Sequence, residues 1–175
     1  MKAVFANGCF WCTAAVFKRL KGVVSVRPGY TGGTKANPTY EEVSTGTSGH
    51  AEAIEIEYDP AAVSYDDLLT VFFYTHDPTT LNRQGNDIGP QYRSAIFYAS
   101  AEEQRKAEAF IAHLNDGEAY ENPVVTEVTP LGTFYVAEDY HHDYYAHNAD
   151  KPYCQLVIAP KLKKLQERFS ALLAD

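Results

Sequence analysis

Between residues 50 and 58 the chain alternates with a period of two. Ile54, Ile56 and Tyr58 point one way, and Ala53, Glu55 and Glu57 point the other. That pattern predicts a β-strand with one inward face, which another layer has to cover. Helical spacing supplies the cover. From Cys9 onward, Cys12, Thr13, Val16 and Leu20 share a face with Phe17 beside it, and Gly22 is the stop. Pro38-Thr39-Tyr40 opens a short helix ending near Thr45. Ser64, with Asp67 at the third position, caps a helix whose stripe is Leu68, Leu69, Phe72 and Phe73. Ser100 and Glu103 form a capping box before Ala107, Phe110, Ile111 and Leu114, and Pro160 opens a final helix with Leu162, Leu165, Phe169 and Leu172 inward.

Further strands are expected over residues 2–6, 23–27, 92–99, 124–129 and 134–137. Residues 28–33 read as a loop, 77–90 as a polar loop and 151–154 as a loop, while 140–145 fit no pattern. Strands and helices mix without strict βαβ alternation, so the fold class is α+β.

With 175 residues, and no repeat, linker or low-complexity tract, the expectation is one catalytic unit over residues 1–175. A net charge of −8 without a Lys/Arg cluster excludes a nucleic-acid surface. No run reaches transmembrane length, and the N-terminus lacks the regions of a signal peptide, so no membrane partner is expected. Three cysteines are an odd number and too few for a disulfide framework, which favours reactive thiols in a reducing, cytoplasmic setting. A monomer is the default.

Chemistry concentrates in Asn7-Gly8-Cys9-Phe10-Trp11-Cys12-Thr13. A cysteine at a helix start meets orphan N–H groups and the positive end of the helix dipole, both favouring thiolate. Phe10 and Trp11 beside it suggest an apolar pocket for a small apolar group. Extending the strand alternation backward places Glu52 on the inward face, where lost solvation raises a carboxyl's pKa and suits a general acid. A frayed strand end letting Glu52 reach solvent is the alternative, and both readings stay open. Tyr40 and Tyr92 are two of thirteen tyrosines, and Asp87 reads alone as a loop cap. His141 and His142 are adjacent and point apart on most backbones, which argues against a shared metal. Cys154 lies in a stretch read as a loop, where a thiol can travel. One nucleophile and two candidate disulfide partners result.

Gly8-Cys9-Phe10-Trp11, Gly29-Tyr30-Thr31-Gly32-Gly33, Asn37-Pro38-Thr39-Tyr40, Gly49-His50-Ala51-Glu52-Ala53, His76-Asp77-Pro78, Gln84-Gly85-Asn86-Asp87 and Gln91-Tyr92-Arg93-Ser94 occur in this order. The ordered set resembles the A-type peptide-methionine sulfoxide reductases along nearly the whole chain. The resemblance implies a two-layer α/β sandwich around a mixed, mainly antiparallel sheet, with a long irregular C-terminal segment and a final helix. It implies reduction of the S epimer of methionine sulfoxide, free or in proteins. Cys9 would be the nucleophile, Glu52 the proton donor, Tyr40 and Tyr92 binders of the sulfoxide oxygen, and Asp87 a support of the pocket. Phe10 and Trp11 would hold the S-methyl group. No cofactor is expected beyond an external dithiol such as thioredoxin.

Two positions depart from the family pattern: Cys12 stands where most members have Gly, and Ala14 where they commonly have Glu. A local Cys9–Cys12 disulfide is therefore available. Cys154 matches the family's C-terminal resolving position and is favoured as first resolver, with Cys12 as competitor or relay. Rival readings are a general Cys-x-x-Cys thiol–disulfide oxidoreductase, which leaves Glu52, Tyr40 and Tyr92 idle, and a metal module of Cys9, Cys12, Cys154 and His141 or His142.

Overall fold

The computed structural model describes residues 1–174. A six-stranded sheet is built from β1 (Lys2–Asn7), β2 (Val23–Thr31), β3 (Ala51–Tyr58), β6 (Ser94–Tyr98), β7 (Glu127–Pro130) and β8 (Tyr135–Val136), in the order β7-β6-β1-β3-β2-β8. Every pair is antiparallel except β6 with β7, so the sheet is mixed and mainly antiparallel, as expected.

The inward face of β3 is as the alternation predicts, with Ile54, Ile56 and Tyr58 buried. They join Phe5 and Ile96 in the main core, beneath α1 (Phe10–Phe17), α3 (Tyr65–Tyr74), α4 (Ala101–Asp116) and α6 (Ala159–Arg168). The opposite face carries the smaller residues Ala6, Ala51, Ala53 and Ala95 with Val4 and Phe97, closed off by Leu131 and Phe134. Small side chains there let a loop, rather than a helical layer, cover the sheet. No helix among the described residues is long and apolar enough to cross a membrane.

The expected Ser64 box is realised, the Ser100 box only in its hydroxyl half, and Thr39 adds a box the sequence did not single out. Thr39 and Glu42 box the start of α2 (Tyr40–Ser44), Ser64 and Asp67 box α3, and the Ser100 hydroxyl accepts from the Glu103 N–H at α4.

Several expected boundaries are corrected. Helix α1 ends at Phe17 rather than near Gly22, and Leu20 instead bridges to Leu173. Residues 28–31, expected as loop, continue β2. A strand residue's N–H and C=O point to the same neighbour, and the Pro28 carbonyl accepts from Ala137 at 2.9 Å. The donor Pro28 lacks is therefore missing on the short β8 side, and its pairing with Ile54 of β3 survives. The polar loop at 77–90 contains a small hairpin, β4 (Arg83–Gln84) and β5 (Asp87–Ile88). Residues 140–145 enter a 3₁₀ turn (Asp139–His141) and α5 (Tyr144–Asn148).

The largest correction concerns Cys154. It lies in a π turn (Cys154–Ile158) running straight into α6, not in a loop. Pro160 has no N–H to give and its ring crowds the carbonyl four residues back, so the helix widens over this turn.

Gly29 is where β8 closes on β2. A Cβ there would sit 2.4 Å from the Tyr135 carbonyl oxygen and 2.5 Å from the Phe134 ring. Gly29→Ala is expected to lower stability by about 2 kcal/mol or more, read as a lower urea midpoint at unchanged slope.

Candidate active site

Strand register assembles the site. Phe5 of β1 pairs with Ile54 of β3, so two residues further along, the exit of β1 lies beside the entrance of β3. Gly8 then turns the chain with φ +110°, and Cys9 becomes the N-cap of α1. The Cys9 carbonyl accepts from the Cys12 and Thr13 N–H groups at 3.1 and 3.2 Å. Its side chain caps nothing, and the first turn holds no acid of its own.

Glu52 supplies what α1 lacks. Its Oε1 accepts from the Phe10 N–H at 3.1 Å, satisfying an orphan donor of the first turn across 42 residues of sequence. Glu52 is 2% exposed, so of the two open readings the inward one holds and the frayed strand end does not. Burial pushes its carboxyl up to about 8, with the charges of Asp87 and Cys12 adding to the rise and the Phe10 N–H opposing it. Glu52 is therefore a neutral acid at neutral pH.

The thiols depart from expectation. Cys9 is only 8% exposed, and burial raises it well above the ordinary thiol value, reinforced by Cys12 and the Glu52 charge. Cys12 is lowered to about 7, first by the hydrogen bond from Cys9 and then by the Lys161 charge and the Tyr153 hydroxyl, against burial and Asp87. Burial therefore works against the expected Cys9 thiolate in the resting protein, because one short helix does not offset burial beside a second sulfur.

A cavity of about 260 Å³ opens onto both sulfurs. The β4–β5 hairpin walls one side with Gln84, Gly85, Asn86 and Asp87, and the last helix walls the other with Tyr153, Leu156, Val157 and Lys161. The Tyr153 hydroxyl lies 3.5 Å from Cys12 Sγ and donates to Asp87 Oδ2 at 2.9 Å, tying the two walls together.

Tyr40 and Tyr92 reach the same neighbourhood from α2 and from the 3₁₀ turn Pro90–Tyr92. Burial and the charges of Glu52 and Cys9 hold the Tyr40 phenol up at about 12, and Tyr92 is raised further by burial, Glu52 and Tyr40. Both stay protonated donors. Glu138 positions Tyr40 by accepting its N–H at 2.9 Å while also accepting from the Tyr30 hydroxyl at 2.9 Å.

Phe10 is buried against Tyr30, Tyr40 and His141. Trp11 is half-buried, donates its Nε1–H to His141 Nδ1 at 3.0 Å, and has its ring covered by Tyr144 at 3.8 Å. A second cavity of about 170 Å³ lies between Trp11, Ala14 and Tyr144, so the departure at Ala14 leaves open space beside the tryptophan.

Cys154 is fully buried, turned into the core beside Tyr153, and does not line the thiol cavity. Among the described residues, no three His, Cys, Asp or Glu side chains converge as metal ligands. The structure thus gathers Cys9, Cys12, Glu52, Tyr40, Tyr92 and Asp87, sets Phe10 and Trp11 alongside, and holds Cys154 apart. Tyr153, Glu138 and Lys161 were not singled out by the sequence, where nothing distinguishes them from other tyrosines, carboxylates and lysines.

Comparison with known proteins points one way. Residues 1–172 match the family described as peptide methionine sulfoxide reductase. A relative from Sulfolobus acidocaldarius, named peptide methionine sulfoxide reductase MsrA, is 55% identical over 171 residues, covering 95% of this chain and 94% of its own length. One of the same name from Thermus thermophilus is 54% identical, covering 98% and 96%. The crystal structure of Mxr1 from Saccharomyces cerevisiae in reduced form superimposes with a TM-score of 0.82 at 31% identity, covering 88% of each chain.

Proposed function

The chain belongs to the peptide methionine sulfoxide reductase family, whose reaction is reduction of methionine sulfoxide by thiols, and on that premise we propose how its own residues carry it out. Cys9 attacks the sulfoxide sulfur while Glu52 protonates the departing oxygen. The observation that carries this reading is the buried Glu52 carboxyl bonded to the first N–H of the helix that Cys9 begins. Sulfoxide oxygen leaves poorly unless a proton arrives, and a buried carboxylic acid holds one at pH 7. The Tyr40 and Tyr92 hydroxyls are further donors to the developing oxyanion. Trp11, backed by Phe10, forms the apolar wall for the S-methyl group, and Asp87 supports the pocket through Tyr153.

Cys12 receives the Cys9 proton as attack begins, supported by its place three residues on, lining the same cavity. The protonated oxygen passes from the substrate sulfur to the Cys9 sulfur as the bond between the two sulfurs breaks, so methionine leaves with the electron pair and Cys9 becomes a sulfenic acid. Cys12 then forms the disulfide with Cys9 and water departs. The two hydrogens of that water are those Cys9 and Glu52 carried, and the single negative charge passes from the Cys12 sulfur to the Glu52 carboxylate. Cys154 was favoured as first resolver from the sequence. Its burial within a helix, off the cavity, supports Cys12 in that role and Cys154 as a later relay. A thioredoxin-like dithiol would close the cycle by exchange.

The reading extends to the S epimer, supported by the family's A-type motifs, and to one catalytic unit, supported by the match over residues 1–172. A cytoplasmic setting completes it, supported by cysteines that are odd in number and too few for a disulfide framework, with a monomer as the default.

The test uses racemic methionine sulfoxide with dithiothreitol, followed by separation of the remaining epimers. Loss of the S epimer alone is expected, and consumption of both or neither would overturn the assignment. For the resolver, Cys154→Ser after one turnover is expected to show the mass of an internal disulfide. Accumulated sulfenic acid would return the role to Cys154.

A further inference from the structure

Among the described residues lining the cavity with Cys12, only Lys161 brings a positive charge. Cys9 precedes it by one helical turn, Asp87 faces it from the hairpin, and Tyr153 and Lys161 face it from the last helix. Glu52 and Cys154 complete the titratable set whose charges Cys12 influences. Tyr153, Val157 and Lys161 recur every four residues, so one helical face presents all three to the thiol cavity. Lys161 also edges a neighbouring groove with His76, Asp77, Glu121 and Lys164, yet among the described residues no carboxylate forms an ion pair with it.

We propose that Lys161 is the positioning charge that holds Cys12 as a thiolate for its attack on the Cys9 sulfenic acid. The inference rests on Cys12 being the resolving thiol, and it adds what makes that thiol competent. In the step concerned, the Cys12 sulfur gives an electron pair to the Cys9 sulfur and the S–S bond forms. The Cys9 S–O bond breaks, and the departing hydroxide takes the proton Cys12 releases, leaving as water.

Before this step Cys12 has to lose the proton it accepted from Cys9. Cys9 is by then a sulfenic acid and no longer lowers Cys12. The Tyr153 hydroxyl gives its hydrogen to Asp87, so Lys161 is the lowering charge that remains, and Asp87 works against it. A cation across a small, partly desolvated cavity favours the anion, and it acts on Cys12 without touching the sulfoxide.

The experiment measures resolution directly. In a Cys154→Ser background, one equivalent of methionine sulfoxide is added, and acid-quenched mass spectra follow sulfenic acid turning to disulfide from pH 6 to 9. Lys161→Met is expected to move the midpoint of that rate up by roughly one pH unit, about tenfold slower on the acidic side. Lys161→Arg restores the profile, and Lys164→Met, on the same helix, leaves it in place. A midpoint unmoved by Lys161→Met overturns the proposal.

Sulfenic acid accumulating at every pH, with Lys161 intact, would instead show that Cys12 is not the resolver. Alkylation separates the two failures. In Cys9→Ser/Cys154→Ser protein, iodoacetamide reports Cys12 ionisation alone, and the same upward shift on Lys161→Met is expected whichever thiol resolves. No shift there removes the electrostatic link itself.

Discussion

Replacing Cys9 by serine is expected to lower methionine sulfoxide turnover by at least about 10³-fold, to the level of the uncatalysed reaction with dithiothreitol. A hydroxyl at this position neither attacks sulfoxide sulfur nor takes its oxygen, and Cys12 cannot stand in. Its sulfur lies one turn further along α1, against Tyr153, while Cys9 is the residue beside the Phe10–Glu52 bond. The fold is expected to survive, since the Cys9 side chain caps nothing and its carbonyl makes the helix-starting bonds. Single-turnover mass spectrometry should find no oxidised thiol in this variant while circular dichroism stays unchanged. A Cys9→Ser protein that still converts one epimer and oxidises Cys12 would place the nucleophile at position 12.

Glu52→Gln is expected to produce the second large loss, about 10²–10⁴-fold in kcat/KM, because the amide keeps the Phe10 hydrogen bond but has no acidic proton. The pH profile identifies the role. With Glu52 in place, activity falls as pH rises through about 8, where the acid ionises. The residual activity of the glutamine variant should lack that descending limb. A small loss with the limb retained would move proton donation to Tyr40 or Tyr92.

Stability moves the opposite way in the same variant. The unfolded chain releases the Glu52 proton near its ordinary 4.5 while the folded protein holds it to about 8, so between those values the unfolded state binds fewer protons. The contribution is full below pH 4.5 and is lost as pH rises through 8. Glutamine has no proton to lose. Glu52→Gln is therefore expected to be more stable than the parent at pH 8, on the order of 3 kcal/mol, and level with it at pH 4. Denaturant melts at the two pH values check this. The parent protein thus bears a stability cost for its acid, as expected where a reactive group is buried.

The expected elements were largely legible because each rests on local physics. Alternation placed Ile54 and Ile56 on one buried face and left Glu52 open between that face and a frayed end, and hydroxyl caps marked the starts of α3 and α4. Errors came where a neighbour overrode a local signal. Pro28-Gly29 reads as a turn, but β3 holds it in register and β8 leaves the missing donor unneeded. Cys154 reads as loop between Pro152 and Pro160, yet a π turn accommodates the second proline and carries the thiol into the core.

What the sequence determined on its own was the set of reactive groups and the helix start and strand face that hold them. Period and capping depend only on residues a few positions apart. What only the tertiary structure decided was where charge rests among those groups. Whether Cys9 or Cys12 carries the proton depends on burial and on Asp87, Tyr153 and Lys161, brought in from two distant segments. A pKa sums over neighbours in space, and no spacing along the chain encodes that sum.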